Sequence, residues 1–83
     1  MRMVCISKSM DIAVGLRLAG VQSFFIRDDK EIKEKIKELS EDENVAIINV
    51  TEEVYDIAKN ELQEISNNQD LPLIVKIPNS KQR

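Results

Sequence analysis

The sequence predicts an α/β domain built on a four-stranded parallel sheet. Three observations carry that expectation. Four short apolar runs alternate with three stretches of helical periodicity, in the order βαβαβαβ. The runs are mostly continuous, as in strands covered on both faces. Capping residues and turn formers stand between the runs and the helical stretches.

The first run, Met3 to Ser7, holds Val4, Cys5 and Ile6 and reads as a buried strand. Ser9 is a good N-cap for the next segment. Ile12, Ala13, Leu16 and Ala19 recur at helical spacing, and Gly20 stands where a glycine stops a helix. Val21 to Ile26 reads as a second strand, with Phe24 and Phe25 pointing to opposite faces as core residues. Asp28 and Glu31 fit a capping box. Ile32, Ile36 and Leu39 then make one apolar stripe among charges, and Glu31 can pair with Lys35. Asn44 marks a turn before the strand Val45 to Val50. Thr51 caps a third helix with the stripe Val54, Ile57, Ala58, Leu62 and Ile65. Ser66 to Asp70 reads as a polar loop, and Pro72 and Pro78 bracket a fourth strand, Leu73 to Ile77. Residues 1–78 are thus expected to form a single α/β domain, and 79–83 a polar tail that frays.

Crossovers between parallel strands are right-handed. With strand order 2-1-3-4, the flavodoxin-like, three-layer arrangement, the first connection runs one way across the sheet and the next two run the other. The first helix then lies alone on one face and the other two share the opposite face. The first helix's face is expected to be partly bare over strands three and four, to be covered by a further helix or by a partner.

Composition removes several functions. Of 83 residues 42% are hydrophobic and 33% charged, the balance of a folded globular chain. At 9.5 kDa such a core only about offsets an ordering cost of roughly 1.5 kcal/mol per residue, so a partner would help. A net charge of −3 and a pI near 4.9 argue against nucleic acid as a partner. No apolar run approaches the roughly 20 residues of a membrane span, so direct membrane insertion is not expected. The opening residues are too soon interrupted for a secretory signal, and one cysteine fits a reducing compartment. The absence of histidine excludes Ser-His-Asp triads and His metal sites. Gly15 and Gly20 are spaced as in a phosphate-binding loop, but Val21 and Gln22 follow where Lys and Ser or Thr are required. No cofactor is expected.

Ligands of such sheets bind at the carboxyl ends of the strands. Those ends carry Ser7, Lys8 and Ser9; Arg27, Asp28 and Asp29; Thr51, Glu52 and Glu53; and Pro78, Asn79 and Ser80. A phospho-receiver site needs acids after strand one and an Asp ending strand three, and neither is present. Cys5 lies inside a strand between Val4 and Ile6, a packing position rather than a nucleophile's. Asp28–Asp29 and Glu52–Glu53 sit at helix starts, where acids favour the macrodipole. Arg17, in a mostly apolar helix, is either solvated or held by a partner. The residues themselves favour a binding or structural subunit over an enzyme.

Gly15-Leu16-Arg17-Leu18-Ala19-Gly20-Val21, just after a first strand and its serine-capped turn, resembles the G-x-R-L-A-G segment of the F subunit of archaeal and bacterial V-type (A-type) ATP synthases. Val45 to Glu52 is similar to that family's apolar strand ending in Thr-Glu, and Leu71 to Pro78 to its P-x-I-x-x-I-P strand. The resemblance implies a non-catalytic subunit of the central rotor stalk, bound to the coiled-coil D subunit of the stalk. That rotor turns inside the catalytic A/B hexamer and couples ATP synthesis or hydrolysis to passage of H⁺ or Na⁺. It implies a peripheral location on the cytoplasmic face of the membrane. Family members continue into a C-terminal helix that can reach the A/B hexamer; no helical pattern follows Pro78, so the resemblance leaves the A/B hexamer open as a second partner of this chain. The expected contacts for the D subunit are Ser7, Lys8, Ser9, Thr51 and Glu52 at the strand-end edge, polar groups around an apolar anchor, with Arg17 of the motif either structural or a further stalk contact. The alternative is a free-standing flavodoxin-like signalling or ligand-binding module.

Overall fold

The computed structural model describes residues 1–79. Eight elements follow one another: β1 (Arg2–Ser7), α1 (Met10–Leu18), β2 (Gln22–Phe25), α2 (Asp29–Ser40), β3 (Val45–Thr51), α3 (Glu52–Ile57), α4 (Lys59–Asn68) and β4 (Leu73–Ile77). All strand pairs are parallel, in the order β2-β1-β3-β4. This is the expected α/β sheet. Of the expected tail, only Asn79 falls within the described residues.

Local chemistry sets most boundaries. The Ser9 hydroxyl accepts from the Ile12 amide at 3.4 Å, and the Asp28 carboxylate from the Glu31 amide at 3.0 Å. Thr51 Oγ1 does the same for the Val54 amide at 3.3 Å. At the end of α1 the Gly20 amide donates to Arg17 O and the Val21 amide to Leu16 O, at 3.0 and 2.9 Å. That crossed pair is a Schellman motif, and it requires the left-handed φ of +91° found at Gly20.

Three details differ from the expectations above. The third helix is two helices, broken at Ala58 with φ −111° and ψ 27°. Val54, Ala58 and Leu62 are buried on both sides of the break. The expected loop at Ser66 is still helical, and α4 ends only where Gln69 donates to Leu71 O at 2.8 Å and Ser40 O at 3.3 Å. Lys35 pairs with Glu38 at 3.2 Å rather than with Glu31, and its ammonium lies 4.7 Å over the Phe24 ring.

The core lies on one face. Val4, Ile6, Ile48 and Val50 pack there against Ile32, Ile36 and Leu39 of α2 and Val54, Ala58, Leu62 and Ile65 of α3 and α4. Phe24 is half-buried against this core. The other face carries α1 alone, packed on β1 and β2, with Ala13 of α1 and Cys5 of β1 both buried. Over β3 and β4 that face is bare, as the crossover rule requires.

Candidate partner interface

Register places Met3, Ile47 and Leu73 in one row across the bare face, then Cys5, Asn49 and Val75, then Thr51 and Ile77. Parallel neighbours in register share a face. Met3, Leu73 and Val75 are 45%, 55% and 39% exposed. Where this face meets α1, Ile12, Gly15, Leu16, Ile77, Pro78 and Asn79 line an apolar groove of about 450 Å³. The groove opens, through Asp11, Ile12 and Asn79, into a polar cleft at the carboxyl ends of β1 and β3. Ser9, Thr51, Glu53 and Asp56 complete that cleft. It lies at the topological switch point, where the chain leaves β1 and β3 in opposite directions.

The five residues expected at the strand ends, and Arg17 of the first helix, have varied fates. Ser7 is buried; its hydroxyl donates to Ser9 O at 3.0 Å and accepts from the Ser9 amide at 2.8 Å. Thr51 is buried at the start of α3. Lys8 pairs with Asp29 at 3.1 Å across the β1 and β2 ends. Ser9 is half-buried as a cap and Glu52 is exposed. Arg17 donates through Nε and Nη2 to Ser23 O, at 3.1 and 2.8 Å, tying α1 to β2. Lys8, Ser9 and Glu52 therefore offer surface, while Ser7 and Thr51 shape the edge from within. Ser80 lies outside the described residues.

Sequence reasoning missed Asp11, Asp56 and the role of Asn79. Glu53 and Asp56 are three apart, on one helix face, a signal available from spacing. Asn79 Oδ1 accepts from the Glu53 amide at 2.9 Å, a contact between residues 26 apart in sequence that spacing does not show. Among the described residues no group of acids or cysteine is arranged to hold a metal ion. Cys5 is fully buried, and burial pushes its thiol from 9.0 up to about 11, so it is neither thiolate nor accessible at neutral pH.

A parallel three-layer sheet with one vacant apolar face, and polar groups around its carboxyl edge, defines an α/β domain with a surface suited to protein contact. The chain belongs to the ATP synthase (F/14-kDa) subunit family, whose model matches residues 3–83. It is similar to the A-type ATP synthase F subunit of Methanocaldococcus jannaschii, 35% identical over 69 residues. That alignment covers 82% of this chain and 65% of the relative. The A-type ATP synthase F subunit of Methanosphaera stadtmanae is 29% identical over 76 residues, covering 90% of this chain and 71% of the relative. The chain thus spans just under two thirds of the M. jannaschii protein's length.

Proposed function

We propose that this chain is the F subunit of an A/V-type rotary ATP synthase, a non-catalytic part of the central stalk. It binds the coiled-coil D subunit and turns with it, supporting the coupling of ATP synthesis or hydrolysis to H⁺ or Na⁺ transport. The observation that carries this reading is the family match over residues 3–83. The four-stranded parallel sheet with flanking helices agrees with that reading. Among the described residues no helix is long and apolar enough to cross a membrane, which suits a peripheral position at the cytoplasmic face. Lys8, Ser9 and Glu52 form the edge offered to the D subunit, with Ser7 and Thr51 shaping it from within; Arg17, at the far end of α1, ties that helix to β2.

The test is co-purification with the D subunit of the same organism, followed by light-scattering chromatography. A stable one-to-one complex is expected, weakened by Glu52→Lys. A folded monomer that never joins the D subunit would overturn the stalk assignment in favour of a free-standing signalling or ligand-binding module. A complex indifferent to charge reversal at Lys8 and Glu52 would keep the family role and remove the proposed edge.

A further inference from the structure

We infer that Arg17 is a guard on the lateral edge of the sheet: its guanidinium closes β2 against strand pairing with a second copy of this chain. β2 and β4 are the two outer strands. An outer strand turns unpaired amides and carbonyls sideways, where another strand can join. β4 carries the usual deterrents: a charged residue, Lys76, and prolines immediately before and after it, Pro72 and Pro78. β2 has neither charge nor proline in Gln22, Ser23, Phe24 and Phe25, and it is rich in aromatic residues.

The geometry shows which groups need covering. Backbone groups point alternately to the two sides along a strand. The Ile26 amide donates to Ser7 O of β1 at 3.0 Å, so Phe24 and Gln22 also face β1. Ser23 and Phe25 therefore turn their amides and carbonyls away from the sheet. Arg17 reaches from the last turn of α1 to that outward Ser23 carbonyl with two donors, Nε at 3.1 Å and Nη2 at 2.8 Å. The Ser23 hydroxyl covers Val21 O, two residues earlier, at 3.2 Å. As a result Ser23 is only 4% exposed although it lies on an outer strand. Among the described residues Arg17 is in no ion pair, so no acid competes for it. A charged donor holds a carbonyl more firmly than the neutral amide of an added strand. The strand kept out is β2 of another copy. Two such strands can meet antiparallel about a two-fold axis, with Ser23 opposite Phe25 at both ends of the contact and backbone hydrogen bonds exchanged at each pair. Each copy must give up its Arg17 contact to do so. The inference goes beyond the stalk assignment and is independent of it, because Arg17 acts here on its own chain.

The test uses the full 83-residue chain alone. Self-association is measured by sedimentation equilibrium over a concentration series, with circular dichroism to follow folding and amide NMR to map the contact. Arg17→Met keeps an apolar stem and removes every donor. It should tighten self-association at least about tenfold, the effect of losing one hydrogen bond to a charged group. Concentration-dependent shifts should appear at Ser23 and Phe25. Arg17→Lys, which keeps a charged donor, should fall between Arg17→Met and the native chain. Gly20→Ala is the control: it loosens α1 with the guanidinium still present, and its association should match that of the native chain. A folded Arg17→Met that associates no more than the native chain overturns the inference. So does association mapped to Leu73 and Val75, or equal association in Gly20→Ala. Loss of the fold in Arg17→Met and Arg17→Lys alike would make Arg17 a stability residue and remove the guard role.

Discussion

The two faces of one sheet are built to different standards. On the first, α2, α3 and α4 seal Val4, Ile6, Ile48 and Val50 from water. On the second, α1 covers β1 and β2, and Leu73 and Val75 stay 55% and 39% exposed. The strands are the same, and their apolar content is similar on both sides. The difference comes from connectivity: with right-handed crossovers, one step left and two steps right distribute helices one against three. The lesson is that a hydrophobic strand residue reports burial only once the layer above it is known. The covered face contributes stability, and the open one leaves apolar area for association.

The comparison breaks most sharply by truncation. Ile48→Ala, on the sealed face, should cost about 2–5 kcal/mol in urea unfolding. A loss under about 1 kcal/mol would mean that the sealed face is not the main source of stability. Under α1, Cys5 offers a pH test. Its thiol stays protonated in the fold to about pH 11 but ionises from about 9 when unfolded. The native state then holds a proton that the unfolded chain loses, so this contribution is complete below pH 9 and fades as pH rises toward 11. The urea midpoint of the native chain should fall across that window more than that of Cys5→Ala. Parallel curves would show that α1 does not keep water from the strand beneath it.

Smaller effects sharpen the contrast. Gly20→Ala places a Cβ at φ +91° with nothing within 4 Å to clash. The penalty is conformational alone, about 1–2 kcal/mol, and it should loosen α1 selectively, seen as faster amide exchange in residues 10–18. Val75→Ser on the open face should change stability by no more than about 0.5 kcal/mol. A larger loss there would mean that Val75 is packed more tightly than its exposure indicates.

Much of this was legible residue by residue. Ser9, Asp28 and Thr51 cap helices because a short oxygen-bearing side chain needs only the next turn's amides. Gly20 ends α1 because only glycine accepts its backbone cheaply. Given the flavodoxin-like strand order, the bare face followed from a handedness rule. Three features were not legible. Arg17 is held by the Ser23 carbonyl, where its sequence context left it solvated or partnered. The helix breaks at Ala58 without proline or glycine, so no breaker residue marked the break. Lys35 prefers Glu38 and the Phe24 ring to the Glu31 that helical spacing offered.

The sequence by itself determined the element types, the caps, the parallel sheet and the lopsided number of helices per face. These depend on neighbours in the chain and on chirality. Only the tertiary structure decided that Asp11, Glu53, Asp56 and Asn79 share one cleft, and that Ile12 and Leu16 meet Ile77 along one groove. Those meetings join residues from three separate elements or their flanks. They exist because β4 ends beside the start of α3, a distance set by sheet register that no local pattern encodes.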